Sequence, residues 1–218
     1  MKVSSHAPSF LPWAGYWNKV ALADLFLLTG STTFDWQSSQ NRVTFDGGLA
    51  TIPVVPSTKH GPIRDVLIAY PETLPAIATR LSKVYRGDKF PYASRLEGLI
   101  ETLQMMGPVA GLMMANVQLH RIVADLLGIE TQTILDTGPL RGTSASRRVA
   151  DLLLRHDPNP TYYAGPIAKG YLSKDLPPFP VWVQTIRYGT CRDSVLQLIA
   201  TEPDPADYVR TCAVWEPL

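Results

Sequence analysis

The run Leu25-Phe26-Leu27-Leu28 carries no polar side chain and stops at Thr29-Gly30-Ser31. Four residues are too few for a buried helix, and turn residues close the run. A strand covered on both faces has this character. The preceding segment, Trp13 to Asp24, reads as a helix with Trp13, Trp17, Val20 and Leu22 largely on one face. Lys2-Val3-Ser4 supplies a short first strand. Strand, loop, helix and buried strand, in that order, open a parallel sheet flanked by helices.

The rest of the chain extends this pattern. Val43 to Phe45 and Leu49 to Ile52 read as a hairpin turned by Asp46-Gly47-Gly48. Ile63 to Ile68 reads as a further strand. A helical stretch starting near Pro71 places Leu74, Ile77, Leu81 and Val84 three to four residues apart. Tyr92 to Met106 and Val109 to Leu127 read as two more helices, the second closed by Gly128. Thr131 to Leu135, Thr161 to Ala164 and Val181 to Ile186 are strands, and a helix runs from Thr143-Ser144 to Arg155. From Pro203 onward the acidic, proline-containing sequence has no assigned element. The expected fold class is α/β: a mostly parallel Rossmann-like sheet with flanking helices and a helical insertion over about residues 71–127. The whole chain, 1–218, is expected to form one domain.

Composition narrows the function classes. A net charge of +1 supplies no global field toward nucleic acid or membrane. The two cysteines, Cys191 and Cys212, suit a reduced, intracellular protein, and the four scattered histidines offer no zinc spacing. No metal is expected, and no cofactor is identified. Met1-Lys2-Val3-Ser4-Ser5-His6 lacks an apolar core for a signal peptide. The apolar stretch around Met105 to Val117 is broken by Gly107, Pro108 and Gly111 and is too short for a bilayer span. A cytoplasmic location without membrane attachment is expected. The sequence leaves the oligomeric state undetermined. There is no Ser-His-Asp motif, Walker-type loop or dinucleotide fingerprint.

Chemistry-bearing residues concentrate near the amino terminus. His6 follows the first strand, where parallel sheets place ligands, and imidazole titrates close to neutrality. Trp13 and Tyr16 suit either stacking on a sugar or base or core packing of the first helix; Trp17 suits the core. Gly15 opens the first helix, whose unpaired N–H groups suit an anion, and Lys19 lies one turn further on. Asn41 and Arg42 add a donor–acceptor amide and a planar fork for carboxylate or phosphate. Ser144 either caps its helix or joins Arg147 and Arg148 in a phosphate-binding turn. Tyr163 and Gly165 end a late strand, with Lys169 and Tyr171 in the following turn. Asn116, in an apolar helix, calls for buried hydrogen bonds. Cys191 lies near basic residues that would favour its thiolate, although an inert thiol is the plainer reading. In a parallel sheet, His6, Thr29, Gly138 and Gly165 all fall at carboxyl ends of strands.

The opening His6-x-Pro8-x-Phe10-Leu11-Pro12-Trp13-x-Gly15-Tyr16-x-x-Lys19 resembles that of WbqC-like proteins. The resemblance continues through Ala23-Asp24-Leu25-Phe26, Asn41-Arg42, Ile52-Pro53-Val54, Asn116, His120-Arg121, Leu127-Gly128-Ile129, Tyr163-Ala164-Gly165-Pro166 and Tyr171-Leu172. Two features depart from the family pattern. Thr29 to Phe34 contains no acid where the family carries an Asp-Asp-x-Gln-Phe-like stretch, and the usual ending is missing after Tyr188.

The resemblance implies a transferase that joins an activated aminoacyl group, glycyl in particular, to an amino sugar or nucleotide-linked amine in surface-polysaccharide synthesis. His6, Asn41 and Arg42 would be catalytic. Trp13, Gly15, Tyr16, Lys19, Ser144, Tyr163, Gly165, Lys169 and Tyr171 would bind a nucleotide or nucleotide-sugar-like small molecule. His6 would deprotonate the attacking amine. Two alternatives stay open. One is a phage-type enzyme that modifies a nucleobase or DNA with an amino-acid-derived group, with nucleic acid as partner. The other is a non-catalytic ligand-binding protein.

Overall fold

A computed structural model describes residues 1–46, 48–70, 72–106, 111–187 and 194–218. Gly47 of the expected hairpin turn, Pro71 at the expected helix start, residues 107–110 and Cys191 lie outside the described residues.

Six strands form the central sheet: β1 (Lys2–His6), β2 (Leu25–Thr29), β5 (Gln132–Asp136), β6 (Thr161–Ala164), β7 (Val181–Ile186) and β8 (Ala213–Pro217). Their order is β5-β2-β1-β6-β7-β8. All neighbours pair in parallel except β7 and β8, which are antiparallel. The hairpin of β3 (Arg42–Phe45) and β4 (Gly48–Thr51) stands apart from this sheet. With the hairpin left out, the strands in chain order lie 3-2-1-4-5-6, the doubly wound arrangement. The expected mostly parallel α/β fold is therefore the observed one.

Strand β2 shows why the apolar run was decisive. Phe26 and Leu28 enter one core and Leu25 and Leu27 the other, on opposite faces of the sheet. The larger core takes in α1 (Ala14–Leu22), α2 (Thr73–Val84), α3 (Glu97–Met105), α4 (Leu112–Leu126), α7 (Val195–Thr201) and α8 (Pro205–Thr211). The smaller core packs α5 (Ala145–Leu154) and α6 (Lys169–Leu172) on the opposite face. Each fully buried large side chain contributes roughly 1.5–3 kcal/mol. Helix α1 is buried from Ala14 to Val20, Asn18 and Lys19 included, because it packs against β1, β2, α7 and α8. The helical insertion expected between the hairpin and β5 is α2 to α4, and Gly128, with φ +57°, follows the end of α4.

Three local readings need correction. Ile63 to Ile68 is a 3-10 turn over Ile63–Asp65 followed by isolated bridges at Leu67 and Ile68. Ile63 and Val66 are both fully buried, three residues apart, which is the repeat of one helical turn. The stretch expected as one helix from Tyr92 begins as a 3-10 turn over Ala93–Leu96 before α3. The unassigned C-terminal region holds α8 and β8. Asp204 caps α8 by accepting from the Asp207 N–H, with Pro205 in the first turn. Among the described residues no helix is long and apolar enough to cross a membrane.

Candidate functional site

In a doubly wound sheet, ligands bind beyond the carboxyl ends of the strands where the strand order reverses. Here that point lies between β1 and β6. β1 ends at His6, and β6 runs into Gly165-Pro166. A hollow of ≈ 500 Å³ opens between them. His6 lines one side with Tyr16 and Lys19 of α1. Tyr162, Gly165 and Tyr171 line it from the other half of the sheet.

Lys19 is the most unusual group in this hollow. It is 4% exposed, and its Nζ donates to the Ser5 carbonyl at 3.2 Å. Nζ also lies 6.0 Å from the ring centres of Tyr16 and Phe26. Among the described residues no carboxylate pairs with it. Burial pulls its pKa from 10.5 down to about 7. A methyl group at Gly165 would sit 3.7 Å from Nζ, so the turn after β6 passes directly beside the amine.

His6 sits within the electrostatic reach of that amine. Its Nδ1 lies 2.9 Å from the Ala7 carbonyl and 3.4 Å from the Ser9 hydroxyl. The carbonyl can only accept, so Nδ1 carries the proton and Nε2 keeps its lone pair. Burial first, then the Lys19 charge, lowers the His6 pKa to about 3 despite the opposing Ala7 bond. Of these two neighbours, Lys19 holds a proton more readily.

An aromatic cluster fixes the wall behind them. Tyr16 meets His6 edge-on, with ring centres 5.1 Å apart. Its hydroxyl bonds to His120 Nδ1 at 2.9 Å, and burial pushes the phenol well above its ordinary pKa. His120 lies between Trp17 and Phe26, with near-parallel rings at 4.9 and 5.7 Å, and burial lowers its pKa to about 4. Trp17 is fully buried, as core packing requires. Asn116 donates to the carbonyls of Pro8 and Gln40, tying the loop after β1 to the loop before the hairpin. That matches the buried hydrogen bonds its sequence position calls for.

Trp13 and Gly15 form a close-packed pair. A methyl group at Gly15 would lie 2.2 Å from two carbons of the Trp13 ring. Glycine is needed here because the indole lies across its Cα. The same indole lines the hollow, whereas Gly15 turns its carbonyl to Gln184 Nε2 at 2.9 Å.

On the opposite wall the tyrosine in the hollow is Tyr162, while its neighbour Tyr163 stacks on Trp182 and meets Trp215 edge-on. Strand residues alternate between faces, and the phase of β6 decides between them. The Tyr162 hydroxyl is 3.2 Å from Ser5 Oγ and also hydrogen-bonds Tyr171. Burial raises the pKa of both phenols.

The remaining candidates lie elsewhere. Arg42 lines an adjoining hollow of ≈ 190 Å³ that shares Trp13, Ser38 and Ser39 with the first. It donates to the Trp36 carbonyl and lies over the Trp36 ring, with its Nε buried and unpartnered among the described residues. Asn41 lines neither hollow; its Nδ2 donates to the Ile52 carbonyl beside the hairpin. Ser144 accepts from the Arg147 N–H as the cap of α5 and donates to Asp175. Lys169 is exposed and does not line the hollow. Ser5, Tyr162 and Gln184 were not among the sequence candidates. The register of β1 and β6 was the available signal for the first two. Among the described residues no cluster of His, Cys, Asp and Glu is arranged to hold a metal.

The family model described as the WbqC-like protein family matches residues 7–179. No curated protein and no solved structure matches the chain.

Proposed function

The chain belongs to the WbqC-like protein family, and from that membership and the hollow between β1 and β6 we propose a group transferase. It joins an activated acyl group, such as glycyl, to an amine on an amino sugar or nucleotide-linked acceptor. The observation that carries this reading is the buried Lys19 amine, with no carboxylate partner among the described residues and with a pKa of about 7, beside His6.

Acyl transfer to an amine needs the acceptor nitrogen neutral as it attacks. The nitrogen adds to the acyl carbonyl carbon, the bond to the leaving group breaks, and the attacking nitrogen loses a proton. A group that titrates near the working pH both takes and releases that proton well. Lys19 meets that condition. His6, with its pKa of about 3, is neutral at pH 7 but holds a proton poorly. In this reading His6 Nε2 accepts a hydrogen bond from the incoming amine and orients it, and Lys19 receives the proton. Trp13, Tyr162 and Tyr171 supply apolar surface for a ring, and the Gly165 turn admits the substrate beside Lys19.

The test is product formation. Purified protein is incubated with glycyl-adenylate and a uridine-diphosphate amino sugar, and the acceptor is followed by mass spectrometry. Wild-type protein is expected to give the glycylated acceptor, with kcat/KM rising with pH through about 7 as Lys19 deprotonates. Lys19→Met is expected to lose this activity while keeping the fold. Full activity in folded Lys19→Met overturns the role of Lys19. Tight acceptor binding without turnover in the wild type favours a binding protein.

A further inference from the structure

A second hollow, of ≈ 560 Å³, opens at the same carboxyl edge of the sheet. It lies beyond the ends of β2 and β5, between Ser31-Thr32-Thr33 on one side and Pro139-Leu140 on the other. Two strand spacings, about 10 Å, separate it from the hollow between β1 and β6.

Its chemistry differs from that of the first. Arg64, Arg148 and His60 line it together with the hydroxyl residues Ser31, Thr32 and Thr33, and no Asp or Glu is among the described residues lining it. Arg64 is held in place by its Nη1, which donates to the Ser31 hydroxyl and the Thr137 carbonyl. Its Nη2 makes no hydrogen bond among the described residues. The nearest acid to Arg64 is Asp65, 3.8 Å from Nε, with a side chain 63% exposed. The Arg148 guanidinium has neither an ion pair nor a hydrogen bond among the described residues. One anchored guanidinium with a free edge, a second that is exposed and without a partner, and the Thr33 hydroxyl converge on one concavity.

We propose that this hollow binds a phosphate group of a small-molecule substrate. A guanidinium offers two parallel donors that match phosphate oxygens, and the Thr33 hydroxyl donates to an oxygen that remains, Ser31 Oγ being committed to the Thr137 and Gly138 carbonyls. A planar carboxylate has only two oxygens and leaves part of this donor set unused; a tetrahedral phosphate or a diphosphate engages it from several directions. The proposal rests on the transferase reading only for the identity of the bearer, since a nucleotide-linked acceptor carries such a group to the sheet edge where the acyl chemistry is placed.

The test is calorimetric titration of the purified full chain with inorganic pyrophosphate at low salt, with sodium acetate as the carboxylate control. Uridine diphosphate and uridine form a second pair of probes. Saturable binding of pyrophosphate and uridine diphosphate is expected, with acetate and uridine much weaker. Arg148→Gln is expected to weaken pyrophosphate by about tenfold or more, the loss of a charge-assisted contact. Arg64→Gln is expected to weaken it at least as much. Arg64 also braces the loop, so the Arg148 variant, which removes no hydrogen bond or ion pair among the described residues, carries the test. Lys19→Met is expected to bind pyrophosphate like the wild type. The proposal is overturned if the wild type shows no saturable binding, if Arg148→Gln binds unchanged, or if acetate binds as tightly as pyrophosphate. Binding lost in Lys19→Met but kept in Arg148→Gln also overturns it, because the phosphate would then occupy the first hollow. None of these outcomes depends on acyl transfer, which the product assay measures separately.

Discussion

Replacing Lys19 with methionine is expected to stabilise the protein at neutral pH, and the gain is expected to shrink as pH rises. An exposed lysine titrates near 10.5; Lys19, at 4% exposure, titrates at about 7. Below pH 7 the lysine is protonated in both folded and unfolded chains, and burial of the charge opposes folding in full. Between 7 and 10.5 the unfolded chain binds a proton that the folded protein lacks, so stability increases with pH. At about 1.4 kcal/mol per pH unit the whole effect is about 5 kcal/mol, of which about 2 kcal/mol disappears between pH 7 and pH 9. Methionine fills a similar volume and has no titrating group. The stability difference between Lys19→Met and wild type should therefore fall by about 2 kcal/mol over that interval. His6 titrates at about 3, outside it. Urea unfolding at pH 7, 8 and 9, with midpoints and slopes compared for the two proteins, measures the difference. Removing the bond to the Ser5 carbonyl adds an offset that does not vary with pH, so the slope is the test. A difference that stays constant from pH 7 to pH 9 would refute a lysine held near neutral pKa, and with it the proton-transfer role.

Other substitutions probe the walls around that amine. Gly15→Ala should destabilise the fold by about 1–3 kcal/mol, because its methyl group overlaps the Trp13 ring. The double variant Gly15→Ala with Trp13→Ala should recover part of the loss, as read from thermal midpoints. Asn116→Ala leaves the Pro8 and Gln40 carbonyls without their donor and should lose about 2–4 kcal/mol in urea unfolding. Tyr16→Phe removes only the hydroxyl on His120 and should lose about 1 kcal/mol. In Tyr16→Phe the His6 titration, followed by NMR, should stay near 3, because phenylalanine keeps the ring packed on His6 and burial is the largest cause of its shift.

Much of the architecture was readable because it rests on local pattern. The apolar run at Leu25 to Leu28, the strands Thr161 to Ala164 and Val181 to Ile186, and the capping hydroxyl of Ser144 each declare themselves within a few residues. The parallel pairing then places His6 and Gly165 at one edge. Several features lay beyond that reach. Two adjacent tyrosines, Tyr162 and Tyr163, carry no local sign of which one faces the hollow; the register against β1 decides it. Lys19 looks like an ordinary helix lysine until α1 packs on β1 and β2 and the turn after β6, more than 140 residues further on, passes beside its amine. Asn41 and Arg42 adjoin in sequence, but the hairpin turns one inward and the other toward a separate hollow. The basic hollow draws on residues from 31 to 148, so no single motif announces it.

The middle strands of the sheet were made far apart in time. β1 can take β2 as a neighbour once residue 29 exists, but its other edge waits for Thr161 to Ala164. Until then a hydrogen-bonding border stands open to any passing segment, including another nascent copy. Slow decoding ahead of β6 would lengthen that exposure, and aggregation yield during synthesis is where such a delay would register first.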